Sequence, residues 1–277
     1  DTGVEKKGAA AALPVPVGGV PLLDRDHSIL AFNERVLDWA MREDVPLLER
    51  LRYLCIVSSN LDEFFEVRAA AHLAAADGGE AKQGYSLHSF EALARKAHDL
   101  VERQYALYNH SLIPAFAAQG IRMVSHGERT AAQRRWVREY FQRDVRPLLI
   151  PVGLDPAHPF PQVANKSLNF IVRLRGSDAF GRENEIAIVK VPRVLPRIMR
   201  LPAHVAPTGM QFVSLSSIIR THLVDLFPGR EVYEFSQFRV TRHSDLAVDE
   251  EDVRNLRTAL RQVLQQRHFG QAVRLEV

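Results

Sequence analysis

The sequence predicts an α+β chain in two parts, an N-terminal helical bundle followed by a mixed α/β domain. Three observations carry that reading. Apolar residues recur at helical spacing through most of the stretch from Ser28 to Gly120. Beyond Pro147 the pattern changes to short runs rich in β-branched residues, Phe170–Arg175 and Ile186–Val191, with Gly, Ser and Asp between them. The chain has 277 residues, 46% hydrophobic and 25% charged, enough for two cores in a globular protein.

The elements follow in order. Residues 1–21 are rich in Ala, Gly and Pro and read as a flexible tail without a signal-peptide core. A helical domain is expected over residues 22–125 and an α+β domain over 126–277. The first helix starts at Ser28 as N-cap, with Ile29, Phe32, Val36, Leu37 and Ala40 inward. Pro46 opens a second helix whose stripe is Leu47, Leu48, Leu51, Leu54 and Cys55. Two serines then break the chain, and Asn60 is expected to cap a third helix, with Glu63 completing a capping box. That helix ends at Asp77-Gly-Gly79. A long helix runs from Leu87 to His110, with Phe90, Leu93, Ala97, Leu100, Val101, Tyr105 and Tyr108 buried. Pro114 kinks or restarts it. Thr130-Ala-Ala-Gln133 opens another helix through a capping box, with Trp136, Val137, Tyr140 and Phe141 packing. Later strands are expected at Met210–Ser214 and Val232–Thr241, with a helix from Ser216 to Phe227 between them. Asp249-Glu-Glu-Asp252 opens a further helix, its acids facing the positive end of the dipole rather than a metal. Val273, Leu275 and Val277 alternate as a final strand. A strand at the very end of the chain suggests a piece of something longer.

Composition narrows the function classes. The net charge of +3 and pI of about 9.1 are a mild basic bias, weak for nucleic-acid binding. The one cysteine, Cys55, excludes an internal disulfide and reads as a small buried hydrophobe, in keeping with a reducing cytosol. No apolar run has membrane-spanning length. No phosphate-binding glycine loop and no His/Cys cluster with zinc spacing appears, and the histidines are scattered. Arg173, Arg175, Lys190, Arg193, Arg197, Arg200, Arg239 and Arg242 gather positive charge in the second domain. That charge fits a polyanion or a solvated strand face equally well.

Several long motifs resemble one family. Ala31-Phe-Asn-Glu-Arg-Val-Leu37, Pro46-Leu-Leu-Glu-Arg-Leu-Arg52 and Ser58-Ser-Asn-Leu-Asp-Glu-Phe-Phe-Glu-Val-Arg68 look like the N-terminal domain of bacterial polyphosphate kinases that work through a phosphohistidine. Asp155-Pro-Ala-His-Pro-Phe-Pro161, Ala164-Asn-Lys-Ser-Leu-Asn169, Val191-Pro-Arg-Val-Leu-Pro-Arg197, Phe238-Arg-Val-Thr-Arg-His-Ser-Asp-Leu246 and Phe269-Gly-Gln-Ala-Val-Arg-Leu-Glu-Val277 look like that family's head domain. One departure is Arg25-Asp-His-Ser-Ile-Leu30, where the family carries Trp at the position of Ile29. It implies a changed packing contact.

The resemblance implies the N-terminal and head portions of an enzyme that moves the terminal phosphoryl of ATP to a histidine and on to polyphosphate. It places the family's nucleotide-contacting asparagine at Asn60, over the adenine. It places the phosphorylated histidine, the Mg2+ ligands and most phosphate contacts in a catalytic half that follows. It also implies a homo-oligomer, a head domain that shapes dimer and polyphosphate channel, and a cytoplasmic location that leaves room for peripheral membrane contact. This stretch alone is expected to turn over no ATP. Asp62, Glu63 and Glu66 are expected to keep phosphates away by repulsion. The rival reading is a non-enzymatic dimerisation or polyanion-binding module.

Overall fold

The computed structural model describes residues 23–76, 85–155, 159–177, 181, 185–243 and 270–277. The helix expected after Asp249, the Asp77-Gly-Gly79 stop and part of the Asp155–Pro161 loop, His158 included, lie outside them. Helix α1 spans Arg25–Met41 and α2 spans Leu47–Glu63. A π-helical stretch, Phe64–Ala69, joins α2 to α3, Ala70–Ala76. Helix α4 spans Leu87–Leu107 and continues through a π turn, Tyr108–Leu112, into α5, Ile113–Ala118, with Pro114 in the first turn after the π segment.

These helices bury one core of Leu30, Leu37, Leu54, Val57, Leu61, Phe64, Phe65, Leu93, Ala97, Leu100, Leu112 and neighbours. Ile29, at the departing position, packs half-buried against it. The expected helix faces are rotated in places. The N-cap of α1 is Asp24, whose Oδ1 accepts from His27 N at 2.7 Å, and not Ser28, whose hydroxyl donates back to the Asp24 carbonyl. Asn33 is buried where Phe32 was expected, and Phe32 is exposed. Leu48, Tyr105 and Cys55 also face solvent. Cys55 is therefore not the buried hydrophobe that its apolar neighbours suggested.

The second half is built on two sheets. One has five antiparallel strands in the order β2-β4-β3-β7-β8. They are β2 (Ile150–Gly153), β3 (Asn169–Arg175), β4 (Ile186–Lys190), β7 (Glu231–Arg242) and β8 (Ala272–Glu276). Alternation divides β3: Phe170, Val172 and Leu174 enter the main core, while Ile171 turns to a smaller cluster of Val163, Ile188, Phe238 and Val240. The main core is closed by α6 (Ala131–Tyr140), opened by the Thr130–Gln133 capping box, and by α7 (Leu215–Thr221).

The other sheet has three strands in the order β1-β6-β5, namely β1 (Ile121–Met123), β6 (Met210–Ser214) and β5 (Ile198–Arg200). Strands β1, β2 and β5 were not expected. Three or four residues are too short to show periodicity, and β2 carries Pro151, tolerated because the strand lies at a sheet edge.

The two halves are stitched together. Strand β1, which follows the helical bundle directly, pairs in parallel with β6. In return, β8 sends Val273 into the helical core. The first of these stitches depends on two glycines in close contact. Gly209 has φ +67°, and a Cβ there would lie 2.4 Å from the Gly120 carbonyl oxygen. That same oxygen accepts from Met210 N at 2.7 Å. Gly209→Ala is expected to cost about 2 kcal/mol or more, from the left-handed backbone plus the clash. Gly120→Ala, whose Cβ would be 3.8 Å from the nearest atom, is expected to cost about half as much. Thermal melts of the two variants check the order; equal losses would contradict it.

Candidate functional site

The stretch Ser58–Arg68 is continuous helix. There is no break at the serines, and Asn60 is not an N-cap: it lies inside α2, and Glu63 is the last residue of that helix and exposed. The reason is tertiary. Ser58 faces α4, where the buried Gln104 amide donates to Ser58 Oγ at 2.6 Å and to the Leu54 carbonyl at 2.9 Å. A serine satisfied in this way has no need to interrupt the helix. Val57, Leu61, Phe64 and Phe65 keep the stretch on the core. The helix widens only after Glu63, into the π stretch Phe64–Ala69; at the junction the Phe64 N–H is still shared between the Asn60 and Leu61 carbonyls, four and three residues back.

Asn60 is half-buried and its Nδ2 donates to Asn33 Oδ1 at 3.0 Å. Asn33 is buried, and its own Nδ2 donates to the Val57 carbonyl at 3.0 Å. The side chain that the sequence offered as a cap is therefore held through its NH2. Its carbonyl oxygen accepts from no donor among the described residues. Sequence reasoning missed Asn33, because an asparagine amid an apolar stripe reads as the polar side of its helix.

Asp62 and Glu66, one turn apart, face the sheet domain. Arg239 of β7 grips Asp62 with two bonds of 2.8 Å, Nη1 to Oδ2 and Nη2 to Oδ1, and its Nε donates to Glu276 at 2.5 Å. Arg274 of β8 pairs with Glu276 at 3.1 Å, approaches Asp62 at 3.7 Å and sits 4.9 Å above the Phe65 ring. Burial pulls the Arg239 pKa down, but the bonds and charges of Asp62 and Glu276 outweigh it and the net shift is upward. Glu66 pairs with Lys166 and accepts from Asn165 Nδ2 at 2.8 Å. Asn165 in turn accepts from the Arg242 N–H at 2.9 Å and, through its carbonyl, from Arg193.

These contacts correct the expectation of phosphate repulsion for two of its three acids, Asp62 and Glu66, while Glu63 stays exposed. Asp62 and Glu66 are matched by cations from the other half and form a latch. The basic residues expected to gather in the sheet domain are likewise divided. Arg239 serves the latch, Arg173 pairs with Glu234, and Arg193 and Arg242 donate to backbone carbonyls.

Among the described residues no group of three or more His, Cys, Asp or Glu is placed to hold a metal ion. No described helix is long and apolar enough to cross a membrane. A cavity of about 820 Å³ opens between β7 and the start of α7, lined by Ser214, Ser217, Arg220 and Tyr233 among others. Asn60 is not in its lining.

Comparison with known proteins covers nearly all of this architecture. Residues 22–124 match the family described as "Polyphosphate kinase N-terminal domain", and residues 132–277 match "Polyphosphate kinase middle domain". A polyphosphate kinase of Neisseria meningitidis serogroup B is 48% identical over 260 residues, covering 92% of this chain and 38% of that protein. One from Burkholderia vietnamiensis is 48% identical over 261 residues, covering 93% and 38%. The crystal structure of polyphosphate kinase from Porphyromonas gingivalis superposes with a TM-score of 0.72 at 29% identity, covering 91% of this chain and 38% of that one. The chain thus spans well under half the length of the relatives it matches.

Proposed function

This chain belongs to the polyphosphate kinase family, and from that membership we propose that it is the N-terminal and head portion of an ATP–polyphosphate phosphotransferase. On this reading the helical domain, residues 22–125, helps to cover the adenine of ATP, and the head domain, 126–277, supports the dimer and the polyphosphate channel. The phosphohistidine and the Mg2+ ligands belong to parts of the kinase other than the residues described here, and the enzyme works in the cytoplasm or at the membrane periphery.

The observation that carries the proposal is the state of Asn60. A half-buried carboxamide, fixed from below by Asn33, keeps a carbonyl acceptor and one N–H for a ligand. Those two groups can meet an adenine edge, which offers an exocyclic amine and a ring nitrogen. Matched cations at Asp62 and Glu66 support the same reading, since they lower the negative charge that a nucleotide would meet along this stretch.

The test uses a kinase of full family length carrying residues 22–277 of this chain. Asn60→Ala is expected to raise the KM for ATP by about 3- to 10-fold, the worth of one or two net hydrogen bonds, with a smaller change in kcat. An unchanged KM would return Asn60 to a structural role.

A further inference from the structure

An asparagine amide can rotate by half a turn, so it tells a donor from an acceptor on a base only when its orientation is fixed. Here a relay of three groups fixes it. The Val57 carbonyl can only accept, so the Asn33 atom 3.0 Å from it must be the nitrogen. Asn33 Oδ1 must then face Asn60, and the Asn60 atom 3.0 Å from that oxygen must be its nitrogen as well. The orientation of both amides is dictated by a backbone carbonyl inside α2. Asn33 is 1% exposed, so no water competes for it.

We infer that Asn33 is a positioning residue that locks the Asn60 amide with its oxygen outward, and so selects a purine with an amine at its six-position over one with an oxo group there. The inference rests on the reading of Asn60 as a base contact. With the amide locked, a six-oxo purine sets oxygen against oxygen. With the lock removed, Asn60 turns and offers its NH2 to the oxo group instead. A buried polar group on a rigid helix discriminates in this way because the mismatched ligand leaves an acceptor unpaired.

The probes are ATP and ITP, which carry an amine and an oxo group respectively at that position. In the full-length kinase carrying this chain, the ratio of kcat/KM for ATP over ITP is expected to be about tenfold. Asn33→Ala is expected to bring it within about twofold, through KM rather than kcat. Asn33→Asp still accepts from Asn60 while losing the bond to Val57, and is expected to keep most of the preference. A general loss of structure would damage both variants alike. If Asn33→Ala leaves the ratio intact while Asn60→Ala collapses it, the positioning role is wrong and the base contact stands. If Asn60→Ala changes neither the ratio nor the ATP KM, the base contact itself is wrong.

A measurement without Asn33 variants guards against misfolding. In the unsubstituted protein, the side-chain amide resonance missing from Asn60→Ala should show one slowly exchanging hydrogen, retained when ATP is added. Loss of that protection on ATP binding would overturn the lock.

Discussion

Phe141→Ala is expected to destabilise the sheet domain by about 3–5 kcal/mol. Phe141 is fully buried where α6 ends and its π turn begins, and it stacks on His222 with ring centroids 4.6 Å apart and an interplanar angle of 16°. Truncation removes the transfer free energy of the ring and leaves a cavity between α6 and α7, in the region where His222 Nε2 is already buried without a partner. Close-packed surroundings relax only partly around such a void. Urea unfolding followed by tryptophan fluorescence reads this directly, because Trp136 packs on the same core. Phe32→Ala is the control. Phe32 is 53% exposed, and its loss should cost within about 0.5 kcal/mol. A Phe141 variant that unfolded at nearly the original urea concentration would show that the second core is placed wrongly.

The next largest effect is expected at the latch. Asp62→Ala leaves Arg239 and Arg274 with Glu276 as their shared carboxylate and should cost about 2–3 kcal/mol. The figure lies below that for a fully buried pair because the Arg239 side chain remains 30% exposed. A double-mutant cycle between Asp62 and Arg239 isolates the pairwise part and is expected to give at least about 1 kcal/mol. Arg143 and Asp144 also meet at 2.7 Å but are exposed, and the same cycle there should give a much weaker coupling than at the latch. Moderate salt should weaken the second pair more than the first. Equal coupling energies would mean that the latch is ordinary surface pairing and does not hold the halves together.

Legibility in the sequence followed the length scale of the signal. The Thr130–Gln133 capping box, strands β3, β4 and β6, and the α+β order were readable because each is written in contiguous residues. What failed was set by distant partners. The serines at 58 and 59 looked like a helix stop, and only Gln104, more than forty positions on, shows why they are not. Asp62 and Glu66 looked like free acids until Arg239, Arg274 and Lys166 came round from the other half. Strand β1 exists because β6 lies beside it. Ser58–Arg68 was singled out through its family motif, but its local structure was misread, and the bonds from Asn33 to Val57 and Asn60 were invisible without the fold.

The central claim is that the helix around Asn60 forms part of the wall against which the adenine of ATP rests. Photolabelling tests it most directly, using an azidoadenine analogue of ATP on a full-length kinase carrying these residues. Trypsin cleaves after Arg52 and Arg68 and releases Tyr53–Arg68 as one peptide. This peptide is expected to carry label, and excess ATP is expected to remove it. Label found only on peptides from other parts of the kinase, with Tyr53–Arg68 unmodified, would contradict the claim.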